Sequence, residues 1–188
     1  MSSAATQNTV VNGVSLDALQ KLVESVKADA RNGLAGFHAR TRWTGGTKSE
    51  STTDSWTIGA ESKPRGYTIR TDEPPELCGG NTAANPQEVL MSAVNACMMV
   101  GYVALAAIEG ITLESLEIET TGELDLRGFL GLDPTVNPGY DTLQCTVRIK
   151  GDGTPEQFRR IHQLVQATSP NYANITRAIR FYPELVVG

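Results

Sequence analysis

The sequence predicts an α+β fold, and three observations carry that reading. Strand-like segments cluster before and after helices instead of alternating with them one to one. One long apolar helix, beginning at Asn85-Pro86 and running to Glu109, separates the two clusters. A chain of 188 residues is long enough to build one real core around such a helix.

Residues 1–13 are polar and read as disordered. Ser15 then reads as the N-cap of an amphipathic helix carrying Leu16, Leu19, Leu22, Val23, Val26 and Ala30, with Gly33 as its stop. Residues 1–34 are therefore expected to be a tail and a docking helix, and 35–188 the main domain. Phe37 to Trp43 alternates and reads as a strand, closed by a Thr44-Gly45-Gly46-Thr47 turn. Ser55–Ile58 and Gly66–Arg70 read as strands joined by a Lys63-Pro64-Arg65 turn, giving a three-stranded meander. In the central helix Pro86 takes the first helical position, where its missing N–H costs nothing, and Gly110 ends the helix. Leu116–Leu124 alternates as a strand with one wet face. Residues 127–140, rich in Gly and Pro, read as a loop. Leu143–Ile149 alternates again and puts Cys145 on its apolar face. Thr154 caps a second helix with a Phe158, Ile161, Leu164, Val165 stripe, which stops near Ser169-Pro170. Ile175 to Val187 is expected to close the sheet.

Composition narrows the function classes. Net charge is −5, and the basic residues are scattered, which argues against a nucleic-acid partner. Val89 to Ile108 is nearly long enough for a membrane span, but it is rich in Ala and Met and lacks flanking basic anchors, so no membrane partner is expected. The N-terminus shows neither a charged n-region nor an apolar h-region, and a cytoplasmic location is expected. Three widely spaced cysteines make neither a disulfide framework nor a zinc site, and they are expected as thiols. No phosphate loop, HExxH or CxxC is present, so no metal, nucleotide or other cofactor is expected.

The chemistry-bearing stretch runs from Cys78-Gly79-Gly80 through Asn85-Pro86 to Cys97. Cys97 lies about 16 Å down the helix from Pro86, beyond reach of the N-terminal dipole. Ala93, Cys97, Gly101 and Ala104 form a small-residue stripe that admits a close helix neighbour. So apolar a helix needs cover on nearly all sides, which points to a second subunit in a two-fold dimer. As a bare residue, Cys97 reads as a small buried hydrophobe. Cys78, in a Gly-rich loop, is either an exposed bystander or a resolving thiol for Cys97.

From Phe37 to the C-terminus the chain resembles the OsmC/Ohr family. The resemblance rests on the Thr44-Gly45-Gly46 turn, the Gly79-Gly80…Asn85-Pro86 helix entry, Ala96-Cys97, Gly110-Ile111…Leu116-Glu117-Ile118, and Ser169-Pro170, in that order. It implies an OsmC-like fold, with antiparallel sheets around a long central helix in an intertwined homodimer. It also implies reduction of hydroperoxides, preferably organic ones, by a helix cysteine that becomes a sulfenic acid. A second cysteine closes a disulfide, and a dithiol or lipoyl protein resets the enzyme. Cys97 matches the peroxidatic cysteine. Ser169 stands where the family has its resolving cysteine. The arginine expected after the first turn is replaced by Thr47 with Lys48 beside it, and the glutamate after the helix-entry proline is Gln87.

Two readings follow. One is a thiol-dependent hydroperoxide reductase using Cys97, with Lys48 as a point charge in place of the arginine and Cys78 or an outside thiol as resolver. The other is a non-catalytic dimer that holds a small apolar ligand in an inter-subunit pocket, for which Met91, Met98 and Met99 would be suitable walls. A hydrolytic Ser169–His162 pair fails on reach, because two helical turns span about 10 Å.

Overall fold

The computed structural model describes residues 9–188, so the disorder expected of residues 1–8 lies outside the described residues. The chain divides inside its long helix into two compact units, Met1–Met91 and Ser92–Gly188.

The first unit opens with a small hairpin, which corrects the expectation of disorder up to residue 13. Strands β1 (Val10–Val11) and β2 (Val14–Ser15) pair across Asn12-Gly13. Both turn residues have positive φ, the conformation Asn-Gly supplies in a two-residue hairpin loop. Helix α1 (Leu16–Ala28) starts where expected, with the Ser15 side chain accepting from the Ala18 N–H at 3.2 Å. It ends earlier than Gly33. Asp29 turns extended, and its carboxylate accepts from the Arg31 N–H at 2.9 Å to start a 3-10 turn over Ala30–Gly33.

The meander is present, built from longer strands than the sequence suggested. Strand β5 (Lys48–Ile58) is its centre. On one side β5 pairs with β3 (Ala35–Phe37) and β4 (Arg40–Gly45), which together make the single expected strand with a break at His38-Ala39. On the other side it pairs with β6 (Glu61–Thr71). The expected turn at Lys63-Pro64-Arg65 is instead inside β6, and the chain reverses at Gly59-Ala60. Pro64 is tolerated there because β6 pairs only with β5 and the register shifts beside it, between Thr53 and Ser55.

Helix α2 (Pro86–Ile108) has the expected limits, with Gly110 at φ +71 after it. By length and composition it is also apolar enough to cross a bilayer. Val94, Met98, Tyr102, Ala106 and Ala107 are its buried residues within the second unit.

The second unit pairs β7 (Leu113–Gly122) with β8 (Leu143–Gly151) antiparallel, Ile118 opposite Val147 and Leu116 opposite Ile149. Between them the expected loop contains a single short helical turn, α3 (Leu126–Phe129). Helix α4 (Pro155–Thr168) starts with a capping box between Thr154 and Gln157. Ile161 and Val165 of α4 join Val94, Met98, Tyr102, Ala106 and Ile111 in one core. Leu164, expected in the stripe, is 40% exposed. Arg160 clamps Glu109 with two hydrogen bonds, fixing α4 against the end of α2.

The end of the chain departs from expectation. Ser169 ends α4 and caps a further helix, α5 (Pro170–Thr176), and no strand follows it to residue 188. Cys145 shares its parity with Val147 and Ile149, yet it is exposed.

The small-residue stripe has its neighbour inside the chain. A Cβ at Gly101 would lie 3.2 Å from a Val165 methyl, and Val165 is fully buried. Helix α4 therefore crosses α2 at a contact only glycine admits without movement. Gly101→Leu is expected to cost about 2–3 kcal/mol by overpacking. Urea denaturation of the variant checks it, and an unchanged midpoint would refute the contact as a packing constraint.

Candidate functional site

Cys97 sits in the twelfth position of α2 and is half-buried. The end of α4 brings Ser169 to it: the Ser169 hydroxyl donates to Cys97 Sγ at 3.5 Å. Ser169 is 5% exposed and has a local reason to stand there. Its backbone N–H closes the last turn of α4 on the Val165 carbonyl, and its Oγ accepts from the Tyr172 N–H at 3.5 Å to start α5. One hydroxyl thus links the end of one helix, the start of the next, and the thiol. Nearby, the Asn171 side chain donates to the Ala93 carbonyl one turn above Cys97.

The Gly-rich loop before α2 is organised by a residue the sequence reading passed over. Asp72, at the end of β6, is 1% exposed. Its carboxylate accepts from the Thr47 and Thr82 hydroxyls, both at 2.7 Å, and from the backbone N–H groups of Glu73, Gly80 and Thr82. The Thr47 and Thr82 hydroxyls, followed by the Thr82 and Glu73 N–H groups, hold its carboxyl well below the usual carboxylate range despite burial. Gly79 is glycine because a Cβ there would fall 1.7 Å from the Glu73 carbonyl oxygen. Thr47, which replaces the arginine implied by the resemblance, is thus committed to Asp72. The available signal was an acid standing directly after a strand and followed by Pro74-Pro75, with threonines in the flanking turns.

The remaining expected site residues lie in the first unit. Lys48 opens β5, exposed, and its stem passes beside Gly80. Cys78 is exposed, with φ +63 at the end of a 3-10 turn over Pro75–Leu77. Gln87 is the second residue of α2, and its backbone N–H donates to Asn85 Oδ1 at 2.7 Å. Glu88 reaches back to the Asn85 N–H at 2.7 Å, so this acid completes a helix cap. All three cysteines are free thiols. Among the described residues no cluster of His, Cys, Asp and Glu could hold a metal ion.

His162 takes no part with Ser169. It bonds the Tyr102 hydroxyl through Nδ1 and the Gln166 amide through Nε2, on another face of α4. Met98 is core, not pocket wall.

Solved structures share this architecture. An OsmC-like protein from Mycoplasma pneumoniae, 15% identical, aligns with TM-score 0.55 over 77% of this chain and 89% of its own. A protein from Psychrobacter arcticus described as a putative osmotic stress induced and detoxification response protein is 15% identical, with TM-score 0.54 over 71% and 84%. The organic hydroperoxide resistance protein OsmC of Legionella pneumophila is 18% identical, with TM-score 0.50 over 74% and 88%. At such identities these likenesses speak for the fold. Among curated proteins no sequence match was found. The sequence model for OsmC-like proteins matches residues 79–184, more than half of the chain and the part that carries Cys97 and Ser169. The chain belongs to the OsmC-like protein family.

Proposed function

We propose that the protein is a thiol-dependent hydroperoxide reductase in which Cys97 is the reacting thiol and Ser169 its positioning residue. The observation that supports this best is the Ser169 Oγ to Cys97 Sγ contact at 3.5 Å, since the resemblance implies a second cysteine at Ser169. The Cys97 thiolate attacks one peroxide oxygen. An S–O bond forms, the O–O bond breaks, and the alkoxide leaves with a proton as alcohol. Sulfur is oxidised by two electrons and the peroxide is reduced by two. Serine cannot close a disulfide on the resulting sulfenic acid. An outside thiol therefore attacks it, releasing water and forming a mixed disulfide, and a second thiol frees Cys97. A dithiol or a lipoyl protein supplies both. The hydroxyl holds the sulfur in one orientation through both half-reactions.

A two-fold homodimer belongs to the same proposal. Val100 and Ile108 on α2 are 70% and 58% exposed, large apolar groups that a second copy would cover.

The test is peptide mass spectrometry of the reduced protein after brief exposure to cumene hydroperoxide, with Cys97→Ser as control. One added oxygen on the Cys97 peptide within seconds is expected, with slower change at the exposed Cys78 and Cys145. A Cys97 that stays reduced for many minutes in excess peroxide would sink the reductase reading.

A further inference from the structure

The carbonyl of Ala93 is the acceptor of the Cys97 backbone N–H, because α2 runs unbroken through both and the α-helical bond joins residues four apart. Such a carbonyl keeps a second lone pair. In a helix a short polar side chain can bond back to the carbonyl four residues earlier, and a thiol, a weak donor, has the same reach. For Cys97 that place is taken. The Asn171 side-chain nitrogen donates to the Ala93 oxygen at 2.9 Å. A carbonyl only accepts, so the amide nitrogen is the end of Asn171 that faces it. The other end, Oδ1, accepts from the Asn174 side chain at 3.5 Å, which keeps the amide from turning over.

Asn171 and Ser169 reach the thiol and its helix from one turn of chain. Ser169 ends α4, Pro170 opens α5, and Asn171 is the second residue of α5. Pro170 has a fixed φ, so the two polar side chains on either side of it stand in a set relation. The Ser169 hydroxyl accepts from the Tyr172 N–H at 3.5 Å. A backbone N–H only donates, so the single hydroxyl proton is left for Cys97 Sγ, also at 3.5 Å. No residue of α5 is fully buried. Tyr172 packs against the core from this helix, and the Asn171 amide ties its first turn to α2.

We propose that Asn171 is a positioning residue for Cys97: by occupying the Ala93 carbonyl it denies the thiol a hydrogen bond within its own helix and leaves the sulfur to the Ser169 hydroxyl alone. The thiol proton is then given up without breaking a bond to α2. The same occupancy acts one step later. The sulfenic acid carries an O–H that would otherwise lodge on the Ala93 carbonyl, and with that acceptor filled the group stays open to the outside thiol. The inference rests on the reading of Cys97 as the reacting thiol, but the contact acts on that thiol before any peroxide is present.

Two readouts on the reduced full-length protein test it. One is the S–H stretching band of Cys97, read by infrared difference against Cys97→Ser. The other is the rate at which iodoacetamide alkylates Cys97 at one fixed pH, followed by peptide mass spectrometry. Asn171→Ala frees the carbonyl. Its S–H band is expected at lower frequency, as the proton finds the Ala93 oxygen, and alkylation is expected to slow about threefold, the worth of a weak hydrogen bond. Asn171→Gln, which keeps an amide donor on a longer stem, is expected to restore both. Should Asn171→Ala fail to fold, Asn171→Asp, equal in size but without the donor, is expected to show the same band shift. An unmoved band or an unchanged alkylation rate overturns the proposal, whatever the melting temperature does, and so does a shift that Asn171→Gln leaves in place. Cumene hydroperoxide separates this from the reductase reading. A parent Cys97 inert to peroxide, with the band shift present in Asn171→Ala, removes the reductase and keeps the contact's effect on the thiol. A reactive Cys97 with an unmoved band removes the positioning role alone.

Discussion

Ser169→Cys, treated with one equivalent of cumene hydroperoxide, is expected to lose two thiols where the parent protein loses one. The substitution places a sulfur at the atom that now stands 3.5 Å from Cys97 Sγ. Cysteine keeps the serine Cβ, and a small approach brings two sulfurs to the bonding distance of about 2.05 Å. The sulfenic acid on Cys97 is then attacked by the new thiol, water leaves, and the disulfide closes. Cys78 and Cys145 are exposed and free, so they report as the two thiols that persist. The link joins residues 72 apart in sequence. In the oxidised form it is expected to add up to about 4 kcal/mol of stability by restricting the unfolded chain. Thiol counting, intact mass and thermal melting with and without reductant check it. If the parent forms the sulfenic acid and the variant does not form the disulfide, Ser169 does not occupy the resolving position.

The second large effect concerns Asp72. Asp72→Ala is expected to lower the melting temperature by on the order of 10 °C, because it removes the buried acceptor shared by two hydroxyls and three backbone N–H groups of a partly buried loop. Asp72→Asn, which keeps the volume but turns one acceptor into a donor, is expected to fall between. The pH dependence has a definite sign. The folded carboxyl titrates below its unfolded value of about 3.9. Its contribution is therefore complete above about pH 5 and is lost as pH falls through 4 toward the lower folded value. Melting curves between pH 7 and pH 3 are expected to show a steeper acid decline in the parent than in Asp72→Asn. Equal slopes would remove Asp72 as the acid-sensitive staple of this loop.

What could be read beforehand follows the range of the interaction. Ser15, Pro86, Gly110 and Thr154 mark helix ends correctly because capping involves atoms within three or four residues. Pro64 misled, since its local turn preference yields when the strand around it lies at a sheet edge. Gly33 misled because Asp29 offered an earlier stop. Ile175–Val187 is expected to close the sheet, but strand formation requires a partner, and none is paired with it here.

For the site, the sequence by itself determined that Cys97 lies on an apolar helix, that a serine stands at 169 before Pro170, and that Thr47 and Gln87 follow the Gly-Gly turn and the helix-entry proline, where the resemblance implies an arginine and a glutamate. These are statements about residue identity and order, which need no coordinates. Only the tertiary structure decided that the Ser169 hydroxyl touches the Cys97 sulfur, that Asp72 captures Thr47 and Thr82, and that His162 serves Tyr102. Each of these contacts joins residues between 10 and 72 positions apart. Sequence spacing carries no distance over such separations, because a hydrogen bond is set within about 3 Å by the packing of whole elements.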